Sequence, residues 1–336
     1  MRETKDISRV WSLDGEHEGT VPLKPMLTPE EQVAALEDKG ITFKRCSEEE
    51  AIRALTERNT YLHLTSYRKL FQKHTDGPDA GKYVNLDFAD LLDLDELDSE
   101  LRGAMLAAAY DVERLVKTKL IARISMREDE DGYSIVADFM ESQEKKYRKA
   151  IERDMKLRMN VSEKGDIYTG GLISRYEGAM PVWVFLEVCT FGAMLAFYLF
   201  VAERYDDDEM KREHYALKGV KSLRNCCSHG SCIVNGLDGK DKLGRQPSIL
   251  VYDWLNSHGI ENSGSRKAKL KNGRVQQITE TLLMFDKAGS IPTSTRTAES
   301  LITLSSNLEN ACGRYGQQND FVSYLGFLKR LIDSAL

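Results

Sequence analysis

Arginine, asparagine and histidine stand close together in Arg224-Asn225-Cys226-Cys227-Ser228-His229, and these side-chain types can act on one phosphate. A guanidinium binds phosphate oxygens in a forked geometry and stabilises charge as it builds. An imidazole titrates near neutrality and can take or give a proton. Asn225 can donate to a phosphate oxygen or fix the imidazole. The inventory suits cleavage of RNA by its own 2′-hydroxyl and needs no metal. Spacing alone does not decide the matter, because Arg58…His63 and Arg68…His74 repeat nearly the same interval elsewhere in the chain. Short patterns of this kind arise easily by chance, and His229 also reads as a histidine that caps or packs a helix end.

Cys226, Cys227, His229 and Cys232 offer soft donors, but zinc takes four ligands that usually come as two spaced pairs. Here every donor falls within 226–232 with no distant pair. The expectation is therefore small packing residues in a turn, with no metal and no cofactor. Phosphate-cradle, dinucleotide and metalloprotease patterns are absent, as is a Gly-x-Ser-x-Gly elbow. Glu187 is the lone charge between Pro181 and Ala202. Buried charges are usually paired, so Glu187 is expected either to form a structural salt bridge or to align Arg224 or His229.

The elements that must carry these residues read as helices. The chain has 336 residues, 41% apolar and 30% charged, with a net charge of −6. That suits a folded protein of about two domains. It excludes a globally basic nucleic-acid coat, though not a local basic site. Six cysteines in this length do not make a disulfide framework. With a polar, charged N-terminal stretch, they point to a reduced, cytoplasmic setting. Residues 1–26 read as an arm. Thr28-Pro29-Glu30-Glu31 and Ser47-Glu48-Glu49-Glu50 are capping boxes, and the two helices they open read as a helical hairpin cap within a small subdomain over 27–86. Leu94, Leu97, Leu101, Met105, Ala108 and Val112 recur at three- and four-residue steps, predicting one long helix from about Leu91 to Ile124.

Further along, 135–160 reads as a solvated, highly charged helix and 161–180 as loop. The apolar run 182–202 is long enough to raise a membrane span. Glu187 and the sparse flanking cations favour instead the central helix of a helical domain. An amphipathic helix over 210–223 leads into the Arg-Asn-Cys-Cys-Ser-His turn. Three more helices are expected near 274–287, 296–312 and 320–335, with strand candidates confined to 249–252. No alternating run is sustained, so the fold class is all-α.

Four blocks carry a resemblance. They are "LTPEEQVAALEDKGITF…SEEEAIRALTERNTYLHLTSYRKLF" (27–71), "LDELDSELRGAMLAAAYDVERLVKTKLI" (94–121), "MPVWVFLEVCTFGAML" (180–195) and "RNCCSHGSCIVNG" (224–236). In order and spacing the chain resembles the Abi family of abortive-infection proteins (AbiD/AbiF-like), within the HEPN ribonuclease superfamily. The resemblance implies a HEPN-like helical bundle, taken as 87–250, and the helices beyond it read as a C-terminal helical extension over 251–336 packed on that bundle. It implies a homodimer in which two Arg/His motifs face one cleft. Arg224 and His229 match the catalytic pair, Asn225 the Asn that follows the Arg, Glu187 the Glu of the Trp-containing block, and Asn235 the closing Asn. Asn235 and the cations Lys221 and Arg175 are the candidates for RNA binding. Gly230 stands where the family has a second His, Cys232 where it has an Arg, and Ser228 where Ala is usual.

The resemblance thus implies a metal-independent endoribonuclease of anti-phage defence acting on RNA. Restraint by a small RNA or a protein antitoxin is expected by analogy. A non-catalytic RNA-binding module of the same fold is the competing expectation.

Overall fold

The computed structural model describes residues 24–159, 165–239, 242, 245–261, 263–289, 294–315 and 320–336. Most of the expected 1–26 arm lies outside them. Among the described residues there are fifteen α-helices and no strand, so the fold is all-α. The first elements follow their local signals. Thr28 and Ser47 accept from the N–H of Glu31 and Glu50, and each glutamate accepts from its cap N–H at 2.8 Å. These boxes open α1 (Pro29–Glu37) and α2 (Glu48–Arg53). A π-helical turn over Ala54–Arg58 continues α2, and α3 (Tyr61–Leu64) runs on as a 3-10 turn over Thr65–Leu70.

Asp87 caps α4 (Phe88–Ser125), the long helix expected from its apolar steps. The charged stretch 135–160 is two helices, α5 (Ser134–Ser142) and α6 (Lys145–Arg158), parted by extended backbone at Gln143. A short α7 (Gly170–Arg175) lies inside the stretch read as loop. The expected single helix over 182–202 is also two, α8 (Val182–Val188) and α9 (Phe191–Arg204). Thr190 breaks it by taking extended backbone and accepting from Ala193 N at 3.2 Å, which gives α9 its own N-cap. No described helix is long and apolar enough to cross a membrane.

After α10 (Asp208–Ser228), the strand candidates at 249–252 belong instead to α11 (Ile249–Ser257). Val251, Trp254 and Leu255 are its buried residues, and that three-then-four spacing is helical. The C-terminal helices α12 (Gly264–Leu270), α13 (Gly273–Ala288), α14 (Ser294–Tyr315) and α15 (Asp320–Ser334) complete the chain.

Helix α10 packs on α4, α9 and α13, and α13 lies on α4 as well. The α14–α15 hairpin leans α14 on α4 and α15 on α13. One contiguous buried cluster results, with members from Val33 to Ala335. Close approach of α10 to α13 depends on Gly219, where a Cβ would come within 1.7 Å of Glu280 Oε2. Glu280 is fully buried and accepts from Arg245 Nη2 at 2.7 Å. Burial nevertheless pushes its carboxyl up to about 7, against the pull of Arg245.

Phe139 of α5 meets Phe185, Phe197 and Phe200 edge-on, with ring centroids 5.7, 5.2 and 5.6 Å away. Removing that ring leaves a cavity among three aromatics, so Phe139→Ala is expected to cost about 3–5 kcal/mol, measured by equilibrium denaturation. His214 on α10 is buried, and burial, reinforced by the Lys218 charge, holds its imidazole down at about 4. The unfolded chain therefore binds a proton that the native state refuses between about 4 and the ordinary value near 6.5. Stability contributed by neutral His214 is present above that window and is lost as pH falls through it. Thermal melts of His214→Leu should show a smaller drop between pH 7.5 and 5 than melts of the wild type.

Candidate active site

The Arg224–His229 segment closes α10, and its local geometry is a Schellman turn. His229 is the C-cap and Gly230 follows with φ +64°. Gly230 N donates to Cys227 O at 3.1 Å and Ser231 N to Cys226 O at 3.0 Å. A glycine is favoured in that left-handed conformation. Gly230, which stands where the family has a second histidine, fits this turn. His229 itself is exposed, with no side-chain hydrogen bond to any described residue, and is open to an incoming ligand.

Arg224 is held from three sides. Its Nη1 donates to Asn225 Oδ1 at 3.2 Å, which turns the asparagine toward the guanidinium. Its Cζ lies 5.6 Å from the centre of the Tyr110 ring and 6.0 Å from that of Phe191. Its carboxylate partner is Glu113 of α4, 3.8 Å from Nη2, and Lys117 Nζ reaches the other Glu113 oxygen at 3.4 Å. Phe191 and Gly192 begin α9, and Lys221 Nζ lies 3.7 Å from where a Gly192 Cβ would stand. The Thr-Phe-Gly of the third block thus meets Lys221 and Arg224 because α9 and α10 are adjacent and antiparallel. Arg224, Asn225 and Lys221 come together, with Tyr110, Glu113 and Lys117 beside them. No hydrogen bond or ion pair joins Arg224 to His229.

Three expected site residues are placed otherwise. Glu187 is exposed and makes no ion pair with a described residue. It shares the outer face of α8 with half-exposed Trp183, one helical turn away, so the carboxylate beside Arg224 is Glu113. Asn235 accepts from Arg274 Nη1 through its Oδ1, in a bond that fastens its own loop. Arg175 is exposed on the last turn of α7, whose Ile173 joins a separate small cluster with Val184 and Val188. No described contact connects Arg175 with the α10 turn.

Sequence reasoning missed a buried carboxylate. Asp98 of α4 has no exposure and accepts from four donors. Tyr67 Oη donates at 2.8 Å, Arg102 Nη1 at 2.5 Å, Val234 N at 2.8 Å and Ile233 N at 2.9 Å. Burial raises the Asp98 pKa above the ordinary carboxylate value, while these donors pull against the rise. Around it, His63 Nε2 lies 3.2 Å from Asp95 Oδ1 and 3.4 Å from Cys232 Sγ. Arg58 Nε and Asn59 Nδ2 donate to the two Asp95 oxygens at 3.2 and 3.1 Å. The Arg58…His63 pair set aside as a decoy therefore belongs to a real constellation, although not the one beside Arg224. A signal existed: Asp98 falls four after Leu94 and three before Leu101, inside the apolar stripe. Cys232 also turns out of the crowded cysteine set toward His63. His63, Asp98 and Cys232 place ligand atoms within 4.8 Å of one another. Asp98 is already saturated by its four donors, which leaves a cation two ready ligands, short of what zinc takes.

The Abi-like protein family matches residues 54–235, more than half of the chain's 336 residues. The chain is a member of that family. The match begins just before Arg58, covers the Asp95–Asp98–Arg102 run and the α9 start, and ends at Asn235. Family membership ties the chain to abortive-infection defence. No curated protein and no solved structure matches the chain.

Within the family's matched span, the blocks at 54–71, 94–121 and 224–235 converge on Asp98. Asp98→Ala would strand four donors in the core, so a loss of about 3–5 kcal/mol is expected. Tyr67→Phe removes one donor and should lose about 1–2 kcal/mol. Urea titrations of both variants check the order.

Proposed function

We propose that this Abi-like chain is a metal-independent endoribonuclease of abortive-infection defence, working in the cytoplasm on RNA. The observation that carries the reading is the end of α10. Arg224 and Asn225 are paired and backed by Glu113, Tyr110 and Phe191, while His229 is presented to solvent on a fixed turn. A phosphate beside Arg224 would meet a guanidinium whose position is already set. Such preorganised charge is usually the largest part of catalysis.

Two copies complete the chemistry. The substrate 2′-hydroxyl attacks the adjacent phosphorus, and His229 of one protomer takes its proton. The P–O5′ bond breaks, and His229 of the other protomer protonates the leaving 5′-oxygen. The products carry a 2′,3′-cyclic phosphate and a 5′-hydroxyl. Arg224 and Asn225 stabilise the charge on the phosphorane. Two features support a second copy: no hydrogen bond or ion pair joins Arg224 to His229 within one chain, and Tyr110 beside Arg224 is half exposed. Restraint by a small RNA or protein antitoxin suits a cell-harming activity.

Purified protein incubated with RNA in EDTA is expected to cut, leaving cyclic phosphate ends. His229→Ala should cut more slowly by on the order of a hundredfold or more. Wild-type protein that binds RNA but leaves it intact would replace the nuclease by an RNA-binding module.

A further inference from the structure

Beyond the family-matched span, a cavity of about 820 Å³ opens between the loop after α11, α12 and α15. Its lining includes Arg266, Lys269 and Arg330. Arg266 is 3% exposed and Lys269 7% exposed, which is unusual burial for cations. Neither they nor Arg330 has a carboxylate within ion-pair distance among the described residues. Arg266 Nη1 donates to Asn256 Oδ1 at 3.1 Å and to Ile260 O, whereas its Nε and Nη2 have no hydrogen-bond partner. Lys269 Nζ donates only to Ser265 Oγ, at 2.7 Å, and sits over the Tyr324 and Phe327 rings. Burial and the Arg330 charge both hold the Lys269 pKa below its ordinary value, which places the two cations within mutual repulsion.

The acidic residues of the same wall do not neutralise this set. Asp333 accepts from Lys329 Nζ at 2.8 Å and from Ser305. Glu261 is exposed at the rim. His258 faces Asp286 at 3.5 Å. Buried charge without a partner is costly, and three cations converging on one cavity add repulsion to that cost. An entering anion relieves both.

We propose that this cavity binds a phosphorylated small molecule, up to the size of a nucleoside triphosphate, through Arg266, Lys269 and Arg330. The volume falls in the range of small-molecule pockets, roughly 300–1,000 Å³. Two of the three cations are buried in the wall rather than spread over a surface, which favours a compact ligand that enters over a nucleic-acid backbone that lies across. The site uses no residue of the α10 turn, so it stands independently of the nuclease reading.

Calorimetric titration of the full chain with ATP and with tripolyphosphate tests it. Saturable binding of at least one is expected, weakened about tenfold or more by Lys269→Met and by Arg330→Glu. Arg330 is exposed, with no ion-pair partner among the described residues and the Phe327 ring beside it, so Arg330→Glu should melt no lower than the wild type even if a change at Arg266 unfolds the pocket. The proposal is overturned if neither probe binds up to millimolar concentration, or if both variants bind as the wild type does. It is equally overturned if a short single-stranded RNA, rather than either probe, is the species whose binding Arg330→Glu weakens.

Discussion

One buried carboxylate organises the region around the candidate active site. Asp98 draws a phenol from the 3-10 turn after α3, a guanidinium from its own helix and two consecutive backbone N–H groups from the loop after α10. A carboxylate with no exposure is tolerable only when donors surround it. Those donors come from segments far apart in the chain, and satisfying the charge fixes them relative to one another. The Schellman turn lies between α10 and the Ile233–Val234 pair. It is therefore anchored at both ends, by helix packing before it and by Asp98 after it. His229 is exposed but does not ride on a free loop.

The second constraint is the meeting of α4, α9 and α10. Arg224 lies against two aromatic rings and beside Glu113, an environment that limits its rotamers without neutralising the whole guanidinium. At 3.8 Å the Glu113 contact is loose enough for a phosphate to compete for the charge. Glu187, whose lone charge in an apolar run suggested either a structural salt bridge or alignment of Arg224 or His229, is on the outside of α8. The role is filled from a different helix.

Much of the fold was legible because its signals are local. Capping boxes at Thr28 and Ser47, the apolar steps of α4 and the three C-terminal helices need only neighbouring residues to be read. The Arg224–Asn225 pair was legible from residue types. Two errors share one cause, the reading of an apolar run as one continuous helix. Thr190 caps a new helix inside that run, and Trp183 with Glu187, four apart, marks the face of α8 turned from the core. Asp98 was illegible for another reason: Tyr67 lies 31 residues away and Ile233 135 away. No window of sequence holds both ends of those bonds. Only the acidic residue within an apolar stripe hinted that something must meet it there.

The central claim is that Asp98 holds the turn that presents His229, and amide hydrogen exchange addresses it directly. In the wild type, Ile233 and Val234 amides should exchange as slowly as the core of α10. In Asp98→Asn, which keeps the shape but loses the charge, both should lose protection while α4 and α13 keep theirs. Fast exchange at Ile233 and Val234 in the wild type, or unchanged protection in Asp98→Asn, would contradict the account.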